Sequence, residues 1–260
     1  MNKENYLEQY YNKFSEEKRL TRRHGQVEYR VTMKYIHKYL SGMEHPAILE
    51  TGAGTGRYSV QLANEGYDVT AVELVKYNLG MLKAKGSSVK AYQADARDLS
   101  IFEDDSFDMT LVFGPMYHLF TMEDKVQVLT EARRVTKPGG IIMAAYCMNE
   151  YGVLLYGFRD GNARECFADG RLTADFQCVS RPEDLYDYIR IEEIDRINEA
   201  AGLKRVQIIA PDGPANYMRQ VLNAMDEETF ELFVQYQMSV CERQDLIGAS
   251  AHTVDILRCI

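Results

Sequence analysis

The segment Ile48-Leu49-Glu50-Thr51-Gly52-Ala53-Gly54-Thr55-Gly56-Arg57-Tyr58 restricts the fold of this chain more than any other. A short apolar run ends in a carboxylate, three glycines follow at alternate positions, and a new helical pattern begins at Tyr58. Glycine accepts positive φ and has no Cβ, so such a turn can lie flat against a ligand. The helix start that follows offers free backbone N–H groups. Spacing and charge then narrow the ligand. A dinucleotide turn needs G-x-G-x-x-G, with pyrophosphate at the helix N-terminus. Here the pattern is G-x-G-x-G, and Arg57 stands where the last glycine would be. Glu50 would place a negative charge beside a pyrophosphate, whereas a cationic ligand without phosphate is attracted by it.

From Pro46 to Cys147 short apolar strands alternate with amphipathic helices, the pattern of a parallel sheet with helical crossovers. Strands are expected at Ala47–Thr51, Asp68–Glu73, Val89–Ala94, Phe107–Phe113 and Ile141–Tyr146. A helix over Glu123–Val135 should end at Lys137-Pro138-Gly139-Gly140. Leu203–Ile209, after a helix near Ile189–Ala201, and Val254–Cys259 read as two late strands without an ordinary crossover, hence an antiparallel edge. The expected fold is α/β, a doubly wound sheet that is mostly parallel with an antiparallel edge strand and helices on both faces. Residues 1–42 read as an N-terminal helical lid and 43–260 as the main domain. Within it, 148–188 form a cap insertion and 216–245 a helical insertion before the last strand.

A chain of 260 residues with 46% hydrophobic content can bury a full core. Its net charge of −9 argues against a nucleic-acid surface, which needs clustered Lys and Arg. No apolar run approaches the ~20 residues of a membrane span, and Met1–Asn5 begins no signal peptide. The five cysteines are scattered and never at C-x-x-C spacing, which fits reduced thiols in the cytoplasm better than disulfides or zinc.

Three successive strands end in acids: Glu50, Glu73 and Asp95. In open α/β sheets ligands sit outside these carboxyl ends. Glu50-Thr51-Gly52-Ala53-Gly54-Thr55-Gly56 resembles motif I of the class I S-adenosylmethionine-dependent methyltransferases, whose fold is Rossmann-like. Phe107-Asp108-Met109-Thr110-Leu111-Val112-Phe113-Gly114-Pro115-Met116-Tyr117-His118-Leu119 and Glu131–Gly140 resemble a group of bacterial small-molecule methyltransferases with a GPxYHL segment after strand four. The likeness covers about residues 26–149 and returns weakly in Gly248–His252; the cap matches nothing usable. The resemblance implies S-adenosyl-L-methionine as cofactor. Its cradle would comprise Glu50, Thr51, Gly52, Ala53, Gly54, Gly56 and Tyr58, with Glu73 and Leu74 at the ribose. Asp95, Ala96 and Arg97 would meet the adenine, and Phe113 and Gly114 the far side. Tyr11 and His24, with Glu28 nearby, would close over it from the N-terminal segment.

The acceptor is constrained mainly by what is missing. The N/D-P-P-Y/F of nucleobase amine methyltransferases and a Pro-Cys nucleophile are both absent from the sequence. The acids are assigned to the cofactor, so no metal is expected. Direct S_N2 transfer to a small organic acceptor, releasing S-adenosylhomocysteine, is the leading expectation. His118 is the first candidate base and Tyr117 a wall of the same pocket; each has a packing alternative. His252 reads first as surface or core packing, with reach into the site from the strand-seven side as the alternative, and Lys18–Gly25 as a solvated helix end or an anion-receiving lid. Alternatives are a methyltransferase for RNA or a protein side chain, and a non-catalytic S-adenosylmethionine-binding module. No nucleic-acid or membrane partner is expected, and monomer and homodimer stay open.

Overall fold

The computed structural model describes residues 6–7 and 21–260. Helix α1 (Arg23–Leu40) leads into β1 (Ala47–Thr51), α2 (Arg57–Asn64), β2 (Asp68–Val72), α3 (Lys76–Ala84) and β3 (Lys90–Tyr92). There follow β4 (Phe107–Val112), a single turn at Pro115–His118, α4 (Met122–Val135) and β5 (Thr136–Met148). A cap with short helical pieces returns through β6 (Tyr188–Ile189) to α5 (Ile191–Ala200) and β7 (Lys204–Ile209). Helices α6 (Arg219–Ala224) and α7 (Glu227–Val240) precede the last strand, β8 (His252–Arg258).

The sheet order is β3-β2-β1-β4-β5-β8-β7, with β6 paired to β5. Strands β1 to β5 are mutually parallel, and β8 runs antiparallel between β5 and β7. This is the expected mixed, doubly wound sheet. The order reverses between β1 and β4, which opens a crevice at their carboxyl ends. Alternating side chains separate the two faces. Ile48, Met109, Leu111 and Met143 pack under α1 and α2, while Ile142 and Ala144 meet Val128 and Leu129 of α4 and Ile194 of α5.

Several boundaries differ from expectation. β3 keeps three paired residues because it is the sheet edge and touches only β2. β5 starts at Thr136, since Thr136 pairs with Phe107 before a register shift, and Gly139 takes φ +82° within that irregular stretch. Pro138 and the glycines thus lie within the strand, whereas α4 itself ends at Val135 as expected. Residues 23–40 are no separate lid, because Val31, Tyr35, Ile36 and Leu40 belong to the same core as β1 and β4. Val27 also joins Leu222, Phe230 and Val234, so the helical insertion packs on α1. The rest of the expected lid, Tyr11 included, lies outside the described residues.

The crevice is narrowest where the β1 and β4 turns meet. Gly52 has φ +67°, and a Cβ there would stand 2.6 Å from Cδ of Pro115. A Cβ on Gly114 would stand 2.8 Å from the Gly52 carbonyl oxygen. Gly52→Ala combines a left-handed backbone with a clash against a stiff ring. It should lower unfolding free energy by about 1–3 kcal/mol, read as a shifted urea midpoint; an unchanged midpoint would mean the Pro115 turn yields freely.

Candidate active site

Glu50 is the last but one residue of β1 and is almost fully buried. Its Oε2 accepts from the Ser59 backbone N–H at 2.9 Å and from the Ser59 hydroxyl, so the carboxylate also fastens the start of α2. Burial pushes Glu50 up to about 7, against the Ser59 hydrogen bonds, and the Glu73 charge adds to the rise. Glu73 sits just beyond β2. It accepts from Gly54 N–H at 2.7 Å through one oxygen and from Val75 N–H at 2.7 Å through the other. One acid therefore anchors the helix after the glycine turn and the next anchors the turn itself. Burial raises Glu73 as well, against its backbone hydrogen bonds.

Asp95 follows a different logic. It caps Arg97 N–H at 2.9 Å and holds the Arg97 guanidinium through both oxygens, the shorter contact being 2.6 Å. Burial raises its pKa, but the Arg97 hydrogen bonds outweigh this and leave it below the usual carboxylate range. Arg97 also reaches Asp124 at 3.1 Å. The turn-capping alternative is thus realised at Asp95, and Asp95, Ala96 and Arg97 still line the crevice.

One cavity runs along the carboxyl edge. It brings together Glu50, Gly52, Ala53, Gly54, Tyr58, Glu73, Leu74, Phe113, Gly114, Tyr117 and His118. No Cβ-sized obstacle faces Gly54, whose φ is +56°. Thr51 and Gly56 do not line it. The Thr51 hydroxyl turns to the Leu111 carbonyl, and Gly56 makes room for Leu82. His24 does not line it either; its Nδ1 lies 3.2 Å from Oδ1 of Asn223, in the contact with α6. Its assignment to the cofactor is therefore corrected: a histidine in the first turn of α1 is held by the helical insertion.

The acceptor end is built by the Pro115–His118 turn. Tyr117 donates its hydroxyl proton to the Phe113 carbonyl at 2.6 Å and so acts as a wall. His118 Nδ1 donates to the Leu185 carbonyl at 2.7 Å, and Leu185 has φ +68°. Asp187 N–H binds the Tyr117 carbonyl at 2.8 Å, and the Asp187 carboxylate meets buried Lys125 at 2.5 Å. Two bonds thus tie the cap's end to this turn, and the ion pair ties it to α4. Opposite stand Glu28, Thr32, Pro211, His252 and Val254. Of the two readings of His252, reach into the site is the one realised: it lines the cavity, because β8 runs antiparallel and presents its first residue at the carboxyl edge. Among the described residues Glu28, Asp212 and His252 form a cluster able to hold a metal, where none was expected.

Comparison with known proteins agrees with this geometry. Residues 49–144 match the model of a methyltransferase-domain family. Over 102 residues, 38% of this chain and 40% of the relative, the sequence is 37% identical to a demethylmenaquinone methyltransferase of Renibacterium salmoninarum. It is 35% identical over 107 residues, 40% of this chain and 42% of the relative, to the cypemycin N-terminal methyltransferase of a Streptomyces species. The chain therefore spans less than half the length of these two relatives. A solved S-adenosylmethionine-dependent methyltransferase from Methanosarcina mazei shares the fold at TM-score 0.59 and 16% identity, over 87% of this chain and 97% of that one. Residues 49–144 thus resemble a methyltransferase domain, and the likeness to the solved S-adenosylmethionine-dependent methyltransferase shows a shared Rossmann-like fold.

Glu50 generates a stability prediction. A carboxyl whose folded pKa stands near 7 against an ordinary 4.5 favours the folded state at low pH and loses that contribution as pH rises between the two. The ligand-free protein should weaken from pH 5 to pH 8 on this account. Glu50→Gln should flatten that slope in urea titrations at the two pH values; an unaltered slope would place the titration elsewhere.

Proposed function

We propose that this protein transfers a methyl group from S-adenosylmethionine to a small organic acceptor held between the Pro115–His118 turn and the cap. The observation that carries this reading is the convergence of two buried acids and an open glycine turn on one cavity whose far end is aromatic. The residues fit the cofactor. Gly54 leaves space for a ligand at the turn, and Glu73 takes the Gly54 N–H, so a carboxylate stands where a phosphate would need a donor. Bound there, S-adenosylmethionine supplies a sulfonium methyl as electrophile. Glu50 would be drawn to its ionised form by the amino-acid ammonium, Glu73 would accept from the ribose hydroxyls, and Asp95 with Ala96 would meet the adenine.

The protein's contribution to such a reaction is orientation and exclusion of water. Tyr117 and Phe113 shape the wall, with Phe113 edge-on to Tyr58 at 5.1 Å between centroids. His118, fixed by Leu185, holds the cap over the acceptor end and keeps Nε2 as its lone-pair nitrogen when neutral. The two named relatives act on unlike acceptors, a quinone precursor and a peptide N-terminus, so their names leave the acceptor open. The GPxYHL-like turn, the acidic surface and the pinned cap favour a small molecule over RNA or a protein chain. Among the described residues no helix is long and apolar enough to cross a membrane.

Calorimetric titration should give saturable binding of S-adenosylmethionine and none of NAD. Glu73→Ala should weaken that binding by at least about tenfold, since it removes hydrogen bonds to a charged group and frees the glycine turn. Equal affinity in the variant would refute the ribose assignment. A screen of metabolite extract with methyl-labelled cofactor would then identify the acceptor.

A further inference from the structure

The deepest wall of the cavity holds an acid–histidine arrangement that cofactor binding does not use. Asp212, just after β7, is completely buried. Its Oδ1 accepts from the Ser250 hydroxyl at 2.6 Å and the His252 backbone N–H at 3.0 Å. Its Oδ2 accepts from Asn216 at 2.8 Å and from His252 Nδ1 at 2.7 Å. Glu28 of α1 places a second carboxylate oxygen 3.6 Å from the same Nδ1. The Nδ1 edge of the ring is therefore committed to carboxylates, and no described residue hydrogen-bonds Nε2. The ring itself lines the cavity, 6.4 Å from the Tyr117 ring. An oriented imidazole with one free nitrogen facing a substrate space is the geometry of a proton acceptor.

We propose, on the methyltransferase reading above, that His252, oriented by Asp212 and backed by Glu28, takes the proton of a phenolic hydroxyl and that the acceptor is methylated on that oxygen. The O–H bond breaks and an N–H bond forms at Nε2. The oxygen's electron pair then forms the new C–O bond to the methyl carbon while the C–S bond breaks and leaves its pair on sulfur. The imidazolium releases its proton to solvent afterwards. Atoms and charge balance without any further reactant.

A phenol suits the site on two counts. Burial would lower the imidazole's proton affinity, but the Glu28 and Asp212 carboxylates outweigh it and hold His252 well above its ordinary value. Cys147 pairs with His252 across β5 and β8, the Tyr117 ring faces it, and Tyr151 adjoins it; burial raises Tyr151. Imidazolium beside phenolate is thus the favoured form of the pair, whereas an aliphatic alcohol is too weak an acid. The ring of a phenol also matches the aromatic Tyr117 and Phe113 that line the same cavity. The same four hydrogen bonds argue against a metal, which would have to strip partners from both Asp212 oxygens.

The test uses 4-nitrophenol, whose ionised form absorbs visible light, with the full-length protein saturated by S-adenosylhomocysteine. Calorimetry first establishes that S-adenosylhomocysteine binds; failure there would sink the methyltransferase reading itself. With it bound, nitrophenol should bind saturably and ionise about tenfold more readily than in water, a fall of about one pKa unit. His252→Gln should return its ionisation to the solution value while S-adenosylhomocysteine still binds. Asp212→Asn, which keeps the side-chain shape, should give an intermediate value. Absence of saturable nitrophenol binding, binding as the neutral phenol, or identical ionisation in His252→Gln would overturn the assignment. So would a saturable zinc or magnesium site lost in His252→Gln.

Discussion

Glu50 carries a carboxylate to a place where the sheet leaves it almost no water, and the site depends on how that group is satisfied. Ser59 supplies two hydrogen bonds from the start of α2, so the acid defines where the helix begins and how the glycine turn must bend to reach it. Hydrogen bonds offset only part of the desolvation, and the proton affinity stays raised. A cation in the cavity removes the remaining imbalance. Folding and cofactor recognition thus act on one group in opposite directions. The ligand-free domain tolerates a poorly solvated acid because the ligand-bound form needs it ionised.

The second constraint is steric and lies one strand away. Gly52 and Gly114 let the β1 and β4 turns approach until a single methyl group on either would collide. That approach places the Pro115–His118 turn against the glycine turn, and the cap is pinned to it through His118 and the Asp187 N–H and to α4 through Lys125. The acceptor end is therefore rigidly referenced to the cofactor end through backbone. Displacement of the cap would have to break a buried ion pair, which is costly when one partner is left uncompensated.

How much of this was legible in the chain follows from locality. The glycine turn, the acids at three strand ends and the GPxYHL-like turn are contiguous in sequence, and their spacing alone separates a pyrophosphate cradle from a cationic-ligand cradle. Elements whose roles depend on distant partners were misread. His24 carries the right residue type near the right segment, but Asn223 claims its ring, and no local pattern announces that contact. Thr51 and Gly56 sit inside the motif yet turn inward, Thr51 to the Leu111 carbonyl and Gly56 against Leu82. The extension of β5 back to Thr136 came from pairing with Phe107, which drew the Pro-Gly-Gly segment into the strand expected to start at Ile141.

His252 shows the same limit most sharply, since its partner Asp212 lies 40 residues earlier and Glu28 at the other end of the chain. What unites them is the direction of β8. A parallel strand presents its last residue at the carboxyl edge; an antiparallel strand inserted beside it presents its first. Placing β8 between β5 and β7 therefore adds groups to the acceptor end without touching the βα turns that bind the cofactor. The parallel half of the sheet holds the common methyl donor, and the antiparallel half with α1 supplies chemistry that can differ between acceptors. Sequence likeness concentrated in residues 49–144 covers the parallel strands and the Pro115–His118 turn, while Glu28, Asp212 and His252 lie outside it.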